Sequence, residues 1–217
     1  PIGATSAYGL TLDGSMYSWG NNSTGKLGVG DITHRSSPVA VLGGLKFKKI
    51  ISGQNRADVA GLTTSGVMYS WGANNWGEQG TGDTTSRSTP TLVVGGYTFK
   101  DIYSAADGST VFGLTESGDL YGWGKNDVIG GIGVGDLVNR SSPVLVMSDV
   151  EYFHASKNTS STFSAFAVTS NGNLYSWGDN SNGMLGLGNI TNRSTPTLVQ
   201  AAADVKKVVT GSDTIQF

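Results

Sequence analysis

The chain has 217 residues, a formal net charge of −2 and no cysteine, and charged residues make up only 14% of it. The absence of cysteine excludes disulfides, thiolate zinc sites and cysteine nucleophiles. The small net charge gives no reason to expect nucleic acid or an anionic membrane as the main partner. No apolar run exceeds four residues, so neither a membrane span nor a signal-peptide core is predicted.

The predicted elements follow one another in an order that recurs along the chain. A short β segment such as 47–51 (FKKII) comes first, and a second apolar run such as 59–63 follows it. A two-residue turn such as Ser65-Gly66 leads into a strand in which Tyr69 and Trp71 alternate with small residues. After a glycine-rich loop, a fourth segment follows a proline. Because proline lacks an N–H, this strand is expected to lie at a sheet edge or to begin there.

Four copies of this order make up the chain. Each copy has an Asn two residues beyond a Trp-Gly pair, then G-x-G followed by Asp or Asn, an Arg four residues later and a Pro three residues after the Arg. The copies are spaced by 52, 52 and 54 residues and are centred on Trp19, Trp71, Trp123 and Trp177. Because the strands are apolar on both faces, each unit must be covered by neighbouring copies. The sequence therefore predicts an all-β fold of β-propeller blades, each with four antiparallel strands.

A resemblance to a known family supports this interpretation. The string W-G-x-N-x-x-G-x-L-G-x-G-D followed by R-x-x-P resembles the repeat of the regulator of chromosome condensation family, over essentially the whole chain. The resemblance implies a larger propeller of about seven blades. We therefore expect residues 1–217 to be one repeat domain, truncated at both ends. The alternatives are a closed four-bladed ring, in which 205–217 complete the blade begun by 7–19, and a homo-oligomer of several chains.

Residues that recur in every unit are expected to serve the fold. The repeated Trp are predicted to pack between blades, where the loss of one would cost roughly 3–5 kcal/mol. The repeated Asp and Arg are interpreted as loop clamps, in which Asp accepts backbone N–H bonds and Arg braces the carboxylate. Asn189 replaces the acid in the last unit, which breaks any strict ring of charge. The clamp pairs are Asp31/Arg35, Asp83/Arg87 and Asp136/Arg140.

Three near-motifs lack the residues that their chemistry requires. Residues 20–27 have the spacing of a phosphate-binding loop, but Leu27 stands where Ser or Thr would hold magnesium. Residues 130–135 are a repeat turn with one inserted residue rather than a dinucleotide loop. Residues 179–183 resemble a calcium loop in which Ile190 takes the place of the bidentate acid. We therefore expect neither a metal nor a cofactor.

The residues available for catalysis are few. His34 falls in a variable loop and is expected to be solvated, and His154 is expected to follow a strand and to be partly buried. Neither has a repeated acid–base partner in the pattern. We therefore predict no catalytic residues, and the protein is not expected to be an enzyme.

The candidate binding residues are those at which the units differ, because propeller loops carry recognition while strands carry packing. Trp76 is the only Trp off the repeat phase and is expected on an exposed turn as a contact anchor. The alternative is a Trp that lies flat on its own blade. The third unit inserts one residue within 127–131, and the last unit inserts about three within 155–164. The Ser/Thr/Asn-rich loop 155–164 is a second candidate contact surface, or a mobile bulge. The candidate loop residues are Asn75, Trp76, Asp127, Val128, Ser181 and Asn182.

The leading hypothesis is a non-catalytic binding or structural scaffold that recognises a protein partner, or belongs to a larger assembly, without nucleic acid. Low charge, the absence of cysteine and a high content of Ser, Thr and Asn favour an extracellular or virion protein of bacterial or phage type. The resemblance implies three rivals: a guanine-nucleotide exchange factor, a secreted enzyme inhibitor and an ultraviolet sensor. No loop here matches those that exchange requires, and a sensor requires clustered off-phase Trp residues, whereas Trp76 stands alone.

Overall fold

The computed structural model describes residues 6–53, 58–105, 108–126, 128–156, 162–199 and 205–210. Within these ranges the chain forms strands and turns and no helix. The strands are β1 (Ser6–Leu10), β2 (Met16–Gly20), β3 (Arg35–Ala40), β4 (Phe47–Ser52), β5 (Asp58–Thr63), β6 (Met68–Gly72), β7 (Arg87–Leu92), β8 (Phe99–Ala105), β9 (Thr110–Thr115), β10 (Leu120–Gly124), β11 (Arg140–Met147), β12 (Val150–Ala155), β13 (Ser164–Thr169), β14 (Leu174–Gly178) and β15 (Arg193–Leu198).

Antiparallel sheets follow one another along the chain, and each is an up-and-down series of consecutive strands. Strands β4–β7, β8–β11 and β12–β15 form four-stranded sheets, and β1–β3 form a three-stranded sheet within the described ranges. This topology confirms the predicted blades of four antiparallel strands. The first strands of successive sheets, β4, β8 and β12, approach one another. They therefore lie innermost, where radially arranged blades converge.

The tight turn of each blade differs in detail from the predicted two-residue turn. In the first blade the N–H of Thr11 donates to the carbonyl of Ser15, and the N–H of Gly14 donates to the carbonyl of Thr11, both over 2.9 Å. Gly14 has a φ of +81°, and Asp13 is not among the residues with positive φ. The loop therefore has three residues, and only its glycine needs the left-handed conformation. The corresponding glycines are Gly66, Gly118 and Gly172.

The strand that carries the proline lies at the edge of its sheet in every blade, as predicted. It begins at the Arg three residues before the proline rather than behind the proline. In the second blade Thr91 pairs with Ser70, while Arg87 pairs with Gly72, so the register shifts between these two pairs. Pro90 falls within this shift, where its missing N–H removes no bond from the ladder.

The hydrophobic cores lie between blades. Trp71, Trp123 and Trp177 are fully buried in three clusters, each of which combines residues of two successive blades. In the first cluster Trp71 of the second blade packs with Met16 and Val41 of the first blade. The repeated Trp therefore pack between blades, as the sequence predicts. Trp19 is half-buried, because no blade precedes it within the described ranges.

Hydrogen bonds accompany each buried Trp and form what we call the interblade latch. Trp71 Nε1 donates to the carbonyl oxygen of Lys26, in the glycine-rich loop of the preceding blade, over 3.0 Å. The N–H of Gly30 in that loop donates to the carbonyl of Ser88 over 2.9 Å. The latch is repeated from Trp123 to Glu78 and from Trp177 to Gly131, at 3.0 Å in both cases. The second, third and fourth blades are thus each bonded to the loop of the blade before.

Candidate protein-recognition face

The long loops that carry the candidate residues emerge at one end of every blade. They connect the last two strands of each sheet and span 21–34, 73–86, 125–139 and 179–192. Alternate connections of an up-and-down antiparallel sheet lie at the same end, so these loops share one side of the blade array. We call this side the loop face.

A buried Asn supports the backbone of each loop. Asn74 Oδ1 accepts the N–H of Gln79 over 3.0 Å, and Asn74 Nδ2 donates to the carbonyl of Asp83 over 2.9 Å. The Asn74 side chain is fully buried, and a buried polar group left unpaired would cost about 1–3 kcal/mol. Corresponding bonds are made by Asn22, Asn126 and Asn180. Each loop is therefore held by its own buried Asn, at the same position of the repeat.

The repeated Asp and Arg close the first three loops as the predicted clamp. Arg87 Nη2 lies 2.7 Å from Asp83 Oδ2, and Asp83 Oδ1 accepts the N–H of Thr85 over 2.9 Å. The hydrogen bond from Arg87 lowers the pKa of the Asp83 carboxyl to about 2, and the Thr85 N–H acts in the same direction. The other pairs are Asp31/Arg35 at 2.6 Å and Asp136/Arg140 at 2.5 Å. These charges are engaged within their own loops.

His34 takes part in this loop support, although the sequence predicts a merely solvated side chain. Its ring is exposed, but Nδ1 accepts the backbone N–H of Asn22 over 2.9 Å. In the third and fourth units the side-chain oxygens of Asn139 and Asn192 accept the equivalent N–H groups. Two residue types, His and Asn, thus supply the same acceptor at this position.

Five of the six candidate residues lie in the described part of the loop face, and all five are at least partly exposed: Asn75, Trp76, Val128, Ser181 and Asn182. Val128 is 48% exposed. Asp127 lies outside the described residues, as do residues 157–161 of the inserted segment. Within the described ranges, no hydrogen bond or ring contact joins Asn75, Val128, Ser181 or Asn182 to a neighbouring loop.

Trp76 is a candidate that the structure does link to another loop. Lys125 Nζ, from the third blade, lies 5.3 Å from the centroid of the Trp76 ring, within the range of cation–π attraction. The backbone N–H of Trp76 donates to Glu78 Oε2 over 2.7 Å. Glu78 is only 2% exposed. Trp76 therefore has a cation of the third blade near its ring and a buried carboxylate at its backbone N–H; we call these three residues the Trp76 junction.

Glu78 and Lys125 are not among the residues that the sequence analysis selects as candidates. Comparison of the four units could have identified both, because the residue type at each of these positions differs from unit to unit. The residues equivalent to Glu78 are Lys26, Gly131 and Met184, and those equivalent to Lys125 are Asn21, Ala73 and Asp179. The sequence alone does not reveal that Trp76 and Lys125, which are 49 residues apart, lie next to each other across two blades.

A second concave feature lies among the inner strands. A cavity of about 190 Å³ is lined by Lys49, Tyr103 and His154, with neighbouring residues. Lys49 Nζ lies 2.6 Å from Asp101 Oδ1 and 4.8 Å from the Tyr103 ring centroid. His154 lies within β12 rather than after a strand, and its Nε2 is 3.1 Å from the hydroxyl of Thr210. Because Asp101 neutralises the lysine, the cavity is a weaker candidate for ligand recognition than the loop face.

The described ranges contain no group of three or more His, Cys, Asp and Glu side chains placed to hold a metal ion. In the same ranges no helix has the length and apolar character to cross a membrane. Gly20 ends strand β2, and the residues after it form turns with no helix among those described. The phosphate-loop spacing at 20–27 therefore lacks the helix N-terminus on which phosphate binding depends.

The interblade latches and the unit-specific loops define the class of the protein: a β-propeller repeat protein, in which shared residues hold the blades together. Residues 13–56, 65–111 and 171–215 match the family model of the regulator of chromosome condensation (RCC1) repeat. These ranges cover more than half of the chain, and the chain belongs to this family. The unit around Trp123 falls between the second and third matched ranges.

Comparison with known proteins supports the family and the fold. The chain is 33% identical to the ultraviolet-B receptor UVR8 of Arabidopsis thaliana over 92% of this chain and 45% of the receptor. It is 34% identical to the X-linked retinitis pigmentosa GTPase regulator of Canis lupus familiaris over 64% of this chain and 14% of that protein. It superposes on Prp20p of Saccharomyces cerevisiae with a TM-score of 0.67 and 24% identity, over 91% of this chain and 49% of Prp20p. The chain thus spans less than half of each.

Proposed function

We propose that this chain contributes a non-catalytic protein-recognition surface, with the loop face as the contact region. The observation that carries the proposal is the division of labour within the loops. Asn74 and the Asp83/Arg87 clamp fix the backbone by bonds that recur in the other units, while Asn75 and Trp76 differ from their equivalents and are at least partly exposed. Fixed loops with variable tips bind without a large ordering cost.

Similarity to known proteins supports a protein as the partner. The solved structure of Prp20p is described together with its binding properties to Gsp1p and histones. That description concerns Prp20p, whose chain is about twice as long as the segment matched here. Partly exposed tryptophans are common anchors in protein–protein interfaces, and Trp76 is such a residue.

The test is a comparative capture experiment in an extract of the source organism. The wild-type chain is compared with Trp76→Ala and with Asn171→Ala, which changes an exposed turn at the opposite end of the blades. We expect at least one protein to be retained by the wild type and by Asn171→Ala but lost by Trp76→Ala, with all three chains folded. Equal retention of every bound protein by the three chains would contradict the assignment of the loop face.

A regulator of a small GTPase is the second candidate function. The similarity to the X-linked retinitis pigmentosa GTPase regulator favours it. The measurement is the release of a fluorescent guanine nucleotide from a panel of small GTPases of the source organism. Acceleration by the chain, lost in Trp76→Ala, would place this activity on the loop face, whereas no acceleration would remove the candidate. The similarity to an ultraviolet-B receptor does not lead to a light-sensing proposal, because Trp76 is the only off-phase Trp.

An extracellular or virion location is a separate proposal that rests on composition. The supporting features are the 14% of charged residues and the absence of cysteine. Detection of the protein in culture supernatant or purified particles, with a cytosolic marker absent, would support it. Exclusive recovery in the cytosolic fraction would contradict it.

A further inference from the structure

The Trp76 junction contains residues that the blade architecture does not require. The fold tolerates other side chains at the same positions in the remaining units. The latch carbonyl that Glu78 supplies to Trp123 comes from a glycine in the next unit, since Trp177 bonds the carbonyl of Gly131. The Glu78 side chain therefore has no part in the latch. The residues equivalent to Trp76 are Thr24, Ile129 and Asn182.

The Glu78 carboxylate is only half satisfied. Its Oε2 accepts the N–H of Trp76 over 2.7 Å, while Oε1 is buried and has no hydrogen-bond partner in the part of the chain that the structure describes. A buried polar atom without a partner destabilises the fold, and such an atom in a native protein calls for an explanation. Oε1 can therefore accept a hydrogen bond from a donor outside the described residues.

The Trp76 ring is suited to receive the group that carries this donor. Lys125 Nζ already lies 5.3 Å from the ring centroid, which shows that a cation can reach this ring in the folded protein. The ring is partly exposed, and the neighbouring Asn75 is exposed. A π face in the same short segment as an unpaired carboxylate oxygen favours a planar cation, because a guanidinium can stack on a ring and still direct N–H groups at a carboxylate.

We propose that the Trp76 junction binds an arginine side chain of the protein partner. The guanidinium takes the place of the Lys125 ammonium on the Trp76 ring and donates to Glu78 Oε1, while the Lys125 side chain turns to solvent. An acidic side chain from the partner would find Lys125 but would bring no donor to Oε1, so an arginine accounts for more of the observed geometry. This inference rests on the proposed function and names the chemistry of the partner at that site.

The experiment uses the tripeptide acetyl-Gly-Arg-Gly-amide and its citrulline and lysine counterparts. The readout is the indole N–H signal of Trp76 in a ¹H–¹⁵N spectrum, assigned by its disappearance in Trp76→Phe. We expect the arginine peptide to shift this signal in a saturable manner and the citrulline peptide to leave it unchanged. Equal shifts with the citrulline or lysine peptide, or no shift with the arginine peptide, would overturn the proposal.

Two variants test the role of Glu78. Glu78→Gln should weaken binding of the arginine peptide about tenfold or more, because a charge-assisted hydrogen bond is replaced by a neutral one. Glu78→Met should do the same and should fold, since Met184 occupies the equivalent position in the fourth unit. Unchanged affinity in a folded variant would overturn the proposal.

The proposal and the function on which it rests can fail separately. A protein partner that is lost in Trp76→Ala but binds Glu78→Met as well as the wild type would leave the loop face intact as a recognition surface and refute the arginine site. Binding of the arginine peptide, sensitive to Glu78→Gln, with no protein lost from Trp76→Ala, would retain the site and refute the loop-face function.

Discussion

The indole Nε1 of Trp71 donates to the backbone carbonyl of Lys26 over 3.0 Å, and this bond ties the second blade to the first. Because the acceptor is a backbone atom, the side chain that accompanies it can vary. The repeat therefore keeps its Trp in all four units, while the residue that supplies the carbonyl is lysine, glutamate or glycine.

Replacement of Trp71 by Ala should destabilise the fold by about 3–5 kcal/mol, because it removes a fully buried side chain and its hydrogen bond together. Thermal and urea unfolding followed by circular dichroism measure the change. Trp76→Ala is the matched control, and its partly exposed side chain should leave the midpoint nearly unchanged. A similar loss in both variants would show that Trp71 has no special role between the blades.

Gly80 and Gly82 allow the close approach of two blades to be tested at positions two residues apart. Both have positive φ, +67° and +88°, so an Ala at either costs about 1–2 kcal/mol in backbone strain. A Cβ on Gly80 would lie 2.7 Å from Trp123 Nε1, whereas a Cβ on Gly82 would meet no atom within 4 Å. We expect Gly80→Ala to lose about 1–3 kcal/mol more than Gly82→Ala, measured as the difference between their urea midpoints. Equal losses would mean that the latch absorbs a methyl group.

Asn74→Ala should destabilise the protein by about 2–3 kcal/mol, because it leaves the buried N–H of Gln79 and the carbonyl of Asp83 without their side-chain partner. The neighbouring Asn75→Ala changes an exposed residue and should stay within about 0.5 kcal/mol of the wild type. Hydrogen exchange of the Gln79 amide should accelerate in Asn74→Ala alone. Unaltered exchange at Gln79 would refute the supporting role of Asn74.

The loop clamps should make stability depend on acid pH. The pKa of Asp83 is lowered to about 2 in the folded protein, and the pKa values of Asp31 and Asp136 are lowered too. A lowered folded-state pKa means that the stabilisation is present above the ordinary carboxyl value of about 4 and is lost as the pH falls toward 2. Urea midpoints measured from pH 5 to pH 2 should therefore decrease.

Asp83→Asn reproduces the arrangement of the fourth unit, where Asn189 replaces the acid. This variant should be somewhat less stable than the wild type at pH 6 and should lose less stability between pH 4 and pH 2. The reverse change, Asn189→Asp, should steepen the acid dependence. An identical slope in all three proteins would assign the acid sensitivity to other carboxyl groups.

The sequence predicts the fold well because each unit has a Trp at the same position, and a large apolar residue that recurs at one position indicates packing. Burial of Trp71, the edge position of the Pro90 strand and the Asp83–Arg87 clamp all follow from residues that recur at fixed spacing. Details set by backbone geometry were less predictable. The turn at Gly14 uses three residues rather than two, and the outer strand begins before its proline.

The candidate site was only partly predictable, for a different reason. Trp76 was apparent as a departure from the repeat, whereas Glu78 and Lys125 gain their significance from contact between two blades. Sequence spacing within one unit does not reveal which side chains of the next unit lie alongside. His34 was likewise underestimated, because its role depends on an N–H twelve residues earlier that only the folded loop brings within 2.9 Å.

The direction of the interblade latch bears on how the chain acquires its structure during synthesis. In each latch the acceptor carbonyl precedes the indole donor by 45 or 46 residues. During synthesis, the carbonyl that accepts each indole bond is therefore made before the tryptophan that donates to it. This order is compatible with the addition of blades one at a time, each new tryptophan bonding to the loop of the blade before it.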